Sequence, residues 1–302
     1  MFAILSLLTG DDSVFTNYVA SQALLFATAA SDLVGKEPNG TWQRTAEGLL
    51  LLFDAELNIH PEFAGYKGEE IKQADVILLG FPLNMNMSES LRESDLLYYE
   101  NRTDDNGPAM TWGMHAVGFL ELGHGVMSNK IGSLFNRSFA NVQEPFAVWT
   151  ETPTGGAINF LTGAGGFIQS VLFGHAGIRL IPPITASKES ISGQCLQVLT
   201  PTLVEHSKLV VVRGVAWRGL RFNFAHNAAT WNVTMTSKGS SVVRRTSGGD
   251  EEFQLEEAGE TASFVWLEGA TFELCTSEKA GVGAVAVESA AARAALALGE
   301  DK

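Results

Sequence analysis

Two cysteines in 302 residues exclude a disulfide-built scaffold and a cysteine-held metal cluster. Cys195 and Cys275 pair in an oxidising compartment or stay free in a reducing one, and the sequence leaves both open. Positive charge is scarce as well: 20 Lys and Arg face 34 Asp and Glu, for a net charge of −14. No basic patch stands out, so no nucleic-acid partner is expected. The six histidines (His60, His115, His124, His175, His206 and His226) show no ligand spacing such as H-E-x-x-H, so no metal is expected. P-loop, G-x-G-x-x-G and Ser-His-Asp patterns are missing, and no cofactor is expected. No apolar run reaches the roughly 20 residues of a membrane span. The opening MFAILSLLTG lacks the basic residues of a signal peptide. A cytoplasmic location is therefore expected. Sequons at Asn39, Asn86, Asn101, Asn136 and Asn232 leave a secreted or lysosomal one open.

What the chain has is apolar residues, 45% against 18% charged, enough to fill the core of one large domain or two ordinary ones. Residues 13 to 175 read as mainly helical. Ser13 caps a helix running to Val34, Thr41 caps one to about Phe53, and Ser88 to Tyr99 is a third. Pro108 opens a helix from Met110 to Leu122, and Phe160 to Phe173 is another. Gly163, Gly165 and Gly166 weaken that last helix, so they imply close packing or backbone approach to a ligand. After about Ala176 the pattern changes to short strands: Leu209–Val215, Leu220–Ala225, Thr230–Thr236, Ser240–Val243, Ala262–Trp266 and Thr271–Cys275. These predict a small antiparallel β-sandwich. The expected units are residues 1–175 (helical), 176–276 (sandwich) and an Ala-rich tail, 277–302.

Two segments carry chemistry. In Glu69–Gly80, the polar Lys72, Gln73 and Asp75 approach the apolar run Val76–Leu79, where their burial needs hydrogen-bond partners. A polyhydroxylated ligand supplies such partners. A plainer reading has Lys72 reaching water along its stem, Gln73 bonding backbone and Asp75 capping a helix. In Glu144–Glu151, two carboxylates flank Phe146 and Trp149, whose flat faces suit sugar rings. There the plainer reading makes Glu144 a cap and Glu151 simply exposed. Residue type alone makes Trp112 a core side chain and His60 a loop histidine bonded to backbone.

Several blocks, in order, resemble glycoside hydrolase family 65: Phe15-Thr16-Asn17, Ile59 to Phe63, Ile71 to Leu79, Gly107 to Trp112, Ser138 to Asn141, Glu144 to Glu151 and Asn159 to Gly163. The resemblance implies a mainly α fold, the later part of an (α/α)6 barrel followed by the β-sandwich. It implies that Lys72 and Gln73 hold a glucosyl unit and that Glu151 is the general base of an inverting hydrolysis. Trp112 and Trp149 would help wall the sugar. The implied substrate is a carbohydrate, either the glucosyl-galactosyl unit on collagen hydroxylysine or trehalose. Phosphorolytic members carry a His and paired-Ser phosphate loop. Gly107–Leu122 here has no Ser pair and no basic residue beyond His115, which favours hydrolysis. The family's acid motif falls where this chain has Phe2 to Leu8, without a carboxylate. The expectation is a truncated chain, inactive alone, with Asp11 and Asp12 as poor substitutes for the missing acid.

Overall fold

The computed structural model describes residues 11–123, 128–180, 195–247, 251–265, 267 and 270–276. The expected tail and the segment Phe2 to Leu8 lie outside them.

Helix α1 (Val14–Leu33) starts where expected: the Ser13 hydroxyl accepts the Thr16 amide at 3.4 Å. Helix α2 is shorter than expected, Trp42–Gly48, and Leu49 is already extended. Thr41 does not cap it; its hydroxyl turns to Asn39 Oδ1 at 2.8 Å. Residues 49–87 run largely without regular structure, apart from a 3-10 turn at Val76–Leu79. Helix α3 (Glu89–Glu100) is capped by Ser88, which accepts from Leu91 N.

Helix α4 (Met110–Leu122) is mostly apolar and buried along most of its length, with Thr111, His115 and Glu121 as its polar side chains. It touches α3, the 3-10 turn, helix α5 (Ser128–Arg137) and helix α6 (Leu161–Gln169). Gly118 lets α3 approach: a Cβ there would lie 2.6 Å from Leu96 Cδ2. The glycines of α6 act as expected in part. A Cβ at Gly163 would meet Trp149, and one at Gly166 would meet Met110 of α4, whereas Gly165 faces open space. The chain leaves α6 through a π-helical turn, Ser170–His175, not as a continuous α-helix to Phe173.

The expectation of a mainly α fold needs correction, because antiparallel sheet takes a large share and the described helices form no clear barrel. Between α5 and α6 lies an unexpected antiparallel meander, β1 (Val142–Gln143), β2 (Val148–Thr152) and β3 (Gly155–Ile158). Only the middle residue of β2 is buried. The meander therefore lacks the alternating pattern that announces a half-buried strand.

Beyond it the strands form two antiparallel sheets. One has the order β10 (Glu252–Leu255), β9 (Ser241–Arg245), β12 (Thr271–Thr276), β5 (Leu196–Leu199), β4 (Ile178–Arg179). The other has β11 (Thr261–Val265), β8 (Thr230–Met235), β7 (Leu220–His226), β6 (Val210–Trp217). Their inner faces share one core, centred on Trp231, whose ring stacks on Phe272 at 4.1 Å. Cys195 and Cys275 are joined, which closes the pairing that the sequence left open.

A buried ion group links the helices to the sandwich. Glu121 of α4 accepts from Arg92 of α3 and from Arg179 of β4. The Arg179 guanidinium also lies 4.7 Å over the Phe81 ring.

Candidate functional site

Lys72 and Glu151, 79 residues apart, meet: Lys72 Nζ donates to Glu151 Oε1 at 2.6 Å. The expected burial of Lys72 is corrected, since its side chain is 41% exposed and Glu151 is 24% exposed. Lys72 reaches the carboxylate across the surface, so its polarity is satisfied without a ligand.

Three features fix Glu151. Its Oε2 accepts the Ala157 amide at 3.2 Å, across the β2–β3 turn. Gly156 in that turn has φ +76°, and a Cβ there would lie 2.8 Å from Glu151 Cβ and 2.9 Å from Oε2. Only glycine fits beside this carboxylate. Below it, Asn141, nearly fully buried, donates through Nδ2 to Glu151 O at 2.9 Å and to Gly107 O at 3.1 Å. Gly107 in turn packs on the backbone of Lys72, for a Cβ there would lie 2.8 Å from Lys72 O. One amide therefore braces both ends of the Lys72–Glu151 pair. The Lys72 ammonium, then the Ala157 amide, hold the Glu151 carboxyl below the usual glutamate range. It is anionic at neutral pH.

Gln73 lies beside this pair and points elsewhere. Its Nε2 donates to Asp75 Oδ1 at 3.1 Å. Burial pushes the Asp75 carboxyl up, and the Gln73 amide partly offsets that. Asp75 does not cap the following turn with its side chain. Gln73 and Asp75 line a cleft of about 360 Å³, shared with Thr111 and Gln169 and floored by Met110 and Met114. Gly165 of α6 also faces this cleft. A few convergent polar groups over an apolar floor are what small-molecule sites look like.

The two tryptophans separate. Trp112 is 2% exposed, covered by the Arg137 guanidinium at 3.4 Å and stacked with His115 at 5.8 Å. Its ring packs the core and has no face free for a sugar, as residue type alone suggested. Trp149 is half-buried, packed on Phe167 at 5.6 Å and on Gly163. Its Nε1 is buried without a partner among the described residues. His60 is a structural histidine, its Nδ1 2.8 Å from Asp95 Oδ2. Glu144 is exposed.

Sequence reasoning missed Asn141 and Gly156 as supports of the site. Asn141 stood in a family-like block, but no residue-level signal marked a clamp. Three metal-type ligands converge at one place among the described residues, Cys195, Glu273 and Cys275, and the two sulfurs there are joined to each other.

No family model matches the chain. It is 43% identical over 250 residues to the protein-glucosylgalactosylhydroxylysine glucosidase of Danio rerio, covering 82% of this chain and 34% of that protein. It is 34% identical over 206 residues to the kojibiose hydrolase of Mucilaginibacter mallensis, covering 67% of this chain and 30% of that one. Among solved structures, a putative kojibiose phosphorylase from human microbiome superposes with a TM-score of 0.60, covering 84% of this chain and 37% of that chain. At 12% identity that likeness speaks to the fold alone. The chain spans about a third of the length of the curated relatives it matches.

Proposed function

The chain belongs to glycoside hydrolase family 65, and from that premise we propose that Glu151, Lys72 and Gln73 form one face of the glucose site of an inverting α-glucosidase. The helices would then be part of an (α/α)6 barrel. The observation that carries the reading is the Lys72–Glu151 contact at 2.6 Å, with a carboxylate kept anionic.

A general base must be deprotonated before substrate arrives, and Lys72 with the Ala157 amide keep Glu151 so. When a glucosyl unit enters, Lys72 turns one of its donors to a sugar hydroxyl and Gln73 offers its carbonyl and amide to neighbouring ones. Glu151 Oε1 then takes a proton from water as that water attacks the anomeric carbon and the glycosidic bond on the opposite face breaks. The leaving oxygen takes its proton from the second carboxyl of the inverting pair, a role this reading gives to none of the described residues. An inverting pair leaves roughly 6.5–9.5 Å between its carboxyls for that water. The half-buried Trp149 supports the wall beside Glu151; Trp112, being core, contributes only packing.

The proposed substrate is the glucosyl-galactosyl unit of collagen hydroxylysine, with trehalose as the comparison. The pairing of Cys195 with Cys275 supports an oxidising compartment over the cytoplasm.

Glucose release from glucosyl-galactosyl-hydroxylysine by a form extended to the length of the curated relatives tests the proposal, with the anomer of the product followed by NMR. Release of β-glucose, lost in Glu151→Gln, is expected. Equal release by that variant, or α-glucose as first product, refutes it. Faster turnover of trehalose would move the substrate and keep the mechanism.

A further inference from the structure

We propose that Glu62 is a positioning residue for the sugar site, holding the Lys72–Asp75 loop in place through the backbone amides of Asp75 and Val76. This rests on the reading of Lys72 and Gln73 as sugar-holding residues, and Glu62 itself would not touch the sugar.

The loop is tethered at two ends. At the first, Ile71 bridges in parallel to Thr103: Ile71 N donates to Arg102 O, and Asp104 N donates to Ile71 O, both at 2.8 Å. At the second, Asp75 N donates to Glu62 Oε1 at 3.1 Å, and the Val76 amide bonds the same carboxyl. These amides open the 3-10 turn Val76–Leu79, whose own preceding residue supplies no side-chain cap. Glu62 therefore does at a distance of 13 residues what an N-cap does locally. Asp75, relieved of capping, is left to accept Gln73 Nε2. Glu62 fixes the backbone and Asp75 fixes the side chain that lines the cleft.

Glu62 is buried, and its backbone oxygen accepts the Val14 amide at the start of α1. The titratable groups around it are Asp75 of the loop, Asp95 of α3 with its partner His60, and the hydroxyls of Tyr66 and Tyr99. Burial first, and the Asp75 charge next, push its carboxyl up to about 8. At neutral pH Glu62 is uncharged and accepts the two amides without repelling Asp75. Once ionised it still accepts both amides but faces Asp75 as a like charge, and that repulsion pushes the Asp75 end of the loop out of place.

Two readouts test this from about pH 6 to about pH 9, bracketing the value near 8. Calorimetry measures glucose binding to the chain. Hydrogen–deuterium exchange follows the Asp75 and Val76 amides. The wild-type protein is expected to lose glucose affinity about tenfold across that range, as a like-charge repulsion of about 1.4 kcal/mol between Glu62 and Asp75 would give. Glu62→Gln, uncharged throughout and still an acceptor, keeps the neutral affinity and lacks the alkaline loss. Glu62→Ala weakens binding about tenfold at neutral pH and speeds exchange at both amides. An alkaline loss unchanged in Glu62→Gln overturns the proposal, as does unchanged amide exchange in Glu62→Ala. Lys72→Ala separates the two layers of inference. If it binds glucose like the wild type, the sugar-site reading fails and takes this one with it. If it loses glucose while both Glu62 variants behave like the wild type, only the positioning role fails.

Discussion

Replacing Asn141 by alanine should damage stability and the candidate base together. Asn141 is 2% exposed and its amide nitrogen bonds two carbonyls, Glu151 O at 2.9 Å and Gly107 O at 3.1 Å. Alanine removes both donors and leaves the carbonyls facing a small hole. An unsatisfied buried acceptor costs about 1–3 kcal/mol, so the pair sets a range of about 2–6 kcal/mol. Partial hydration of the hole brings the expected loss to about 2–4 kcal/mol. Urea denaturation followed by far-ultraviolet circular dichroism measures it. The same substitution frees the Gly107 loop from β2, so Lys72 and Glu151 lose their shared brace. The Glu151 carboxyl should then titrate closer to an ordinary glutamate, observable by 13C NMR of the side chain. Asn141→Ala within about 0.5 kcal/mol of wild type, with an unmoved Glu151 titration, would refute the clamp.

Further outcomes follow from the same geometry. Gly156→Ala places a methyl group against Glu151 in a left-handed turn, with backbone strain of about 1–2 kcal/mol. Glucose release should fall at least about tenfold, with overall stability changed little more than that strain. Lys72→Met removes the first cause of the lowered Glu151 carboxyl. A base works only when deprotonated, so activity is lost as pH falls through its titration. The acid limb of the pH–rate profile should therefore move up toward the ordinary glutamate range, and an unmoved limb would count against Lys72 as the cause. The ion pair itself is exposed, and its loss should cost under about 1 kcal/mol of stability. Cys275→Ser opens a loop of 80 residues and should destabilise the sandwich by up to about 4.5 kcal/mol in thermal unfolding, with reductant producing the same loss in the wild-type protein.

The sequence was most legible where burial is one-sided or complete. Ser13 announced its helix through cap chemistry, the helix from Ser88 was announced by its apolar face of Leu91, Leu96 and Leu97, and α4 by the Pro108 that opens it. Trp231, Val233 and Met235 announced a half-buried strand by alternation, and all three are buried in β8. The meander β1–β3 was illegible because its strands are short and mostly half-exposed, so no face imposes a period. Residues 49–87 were illegible because their order comes from scattered long-range bonds, such as Tyr99 Oη to His60 O and Ile71 with Thr103. Lys72 looked buried because apolar neighbours follow it, yet the loop turns it outward to a carboxylate that no local pattern connects to it. Glu62 lay inside a family-like block, but its role depends on amides 13 and more residues away.

Glu121 gives the helical and sheet layers a common fate. Its two arginines come from opposite sides of the junction, Arg92 from α3 and Arg179 from β4, and all three side chains are largely shielded from water. Splitting the chain near residue 176, where its character changes, would strand that carboxylate with half of its counter-charge. Breaking a buried ion pair in this way costs about 3–5 kcal/mol. The junction is thus a boundary in composition that a buried ion group crosses, and a sandwich expressed alone should melt well below the same sandwich in the intact chain.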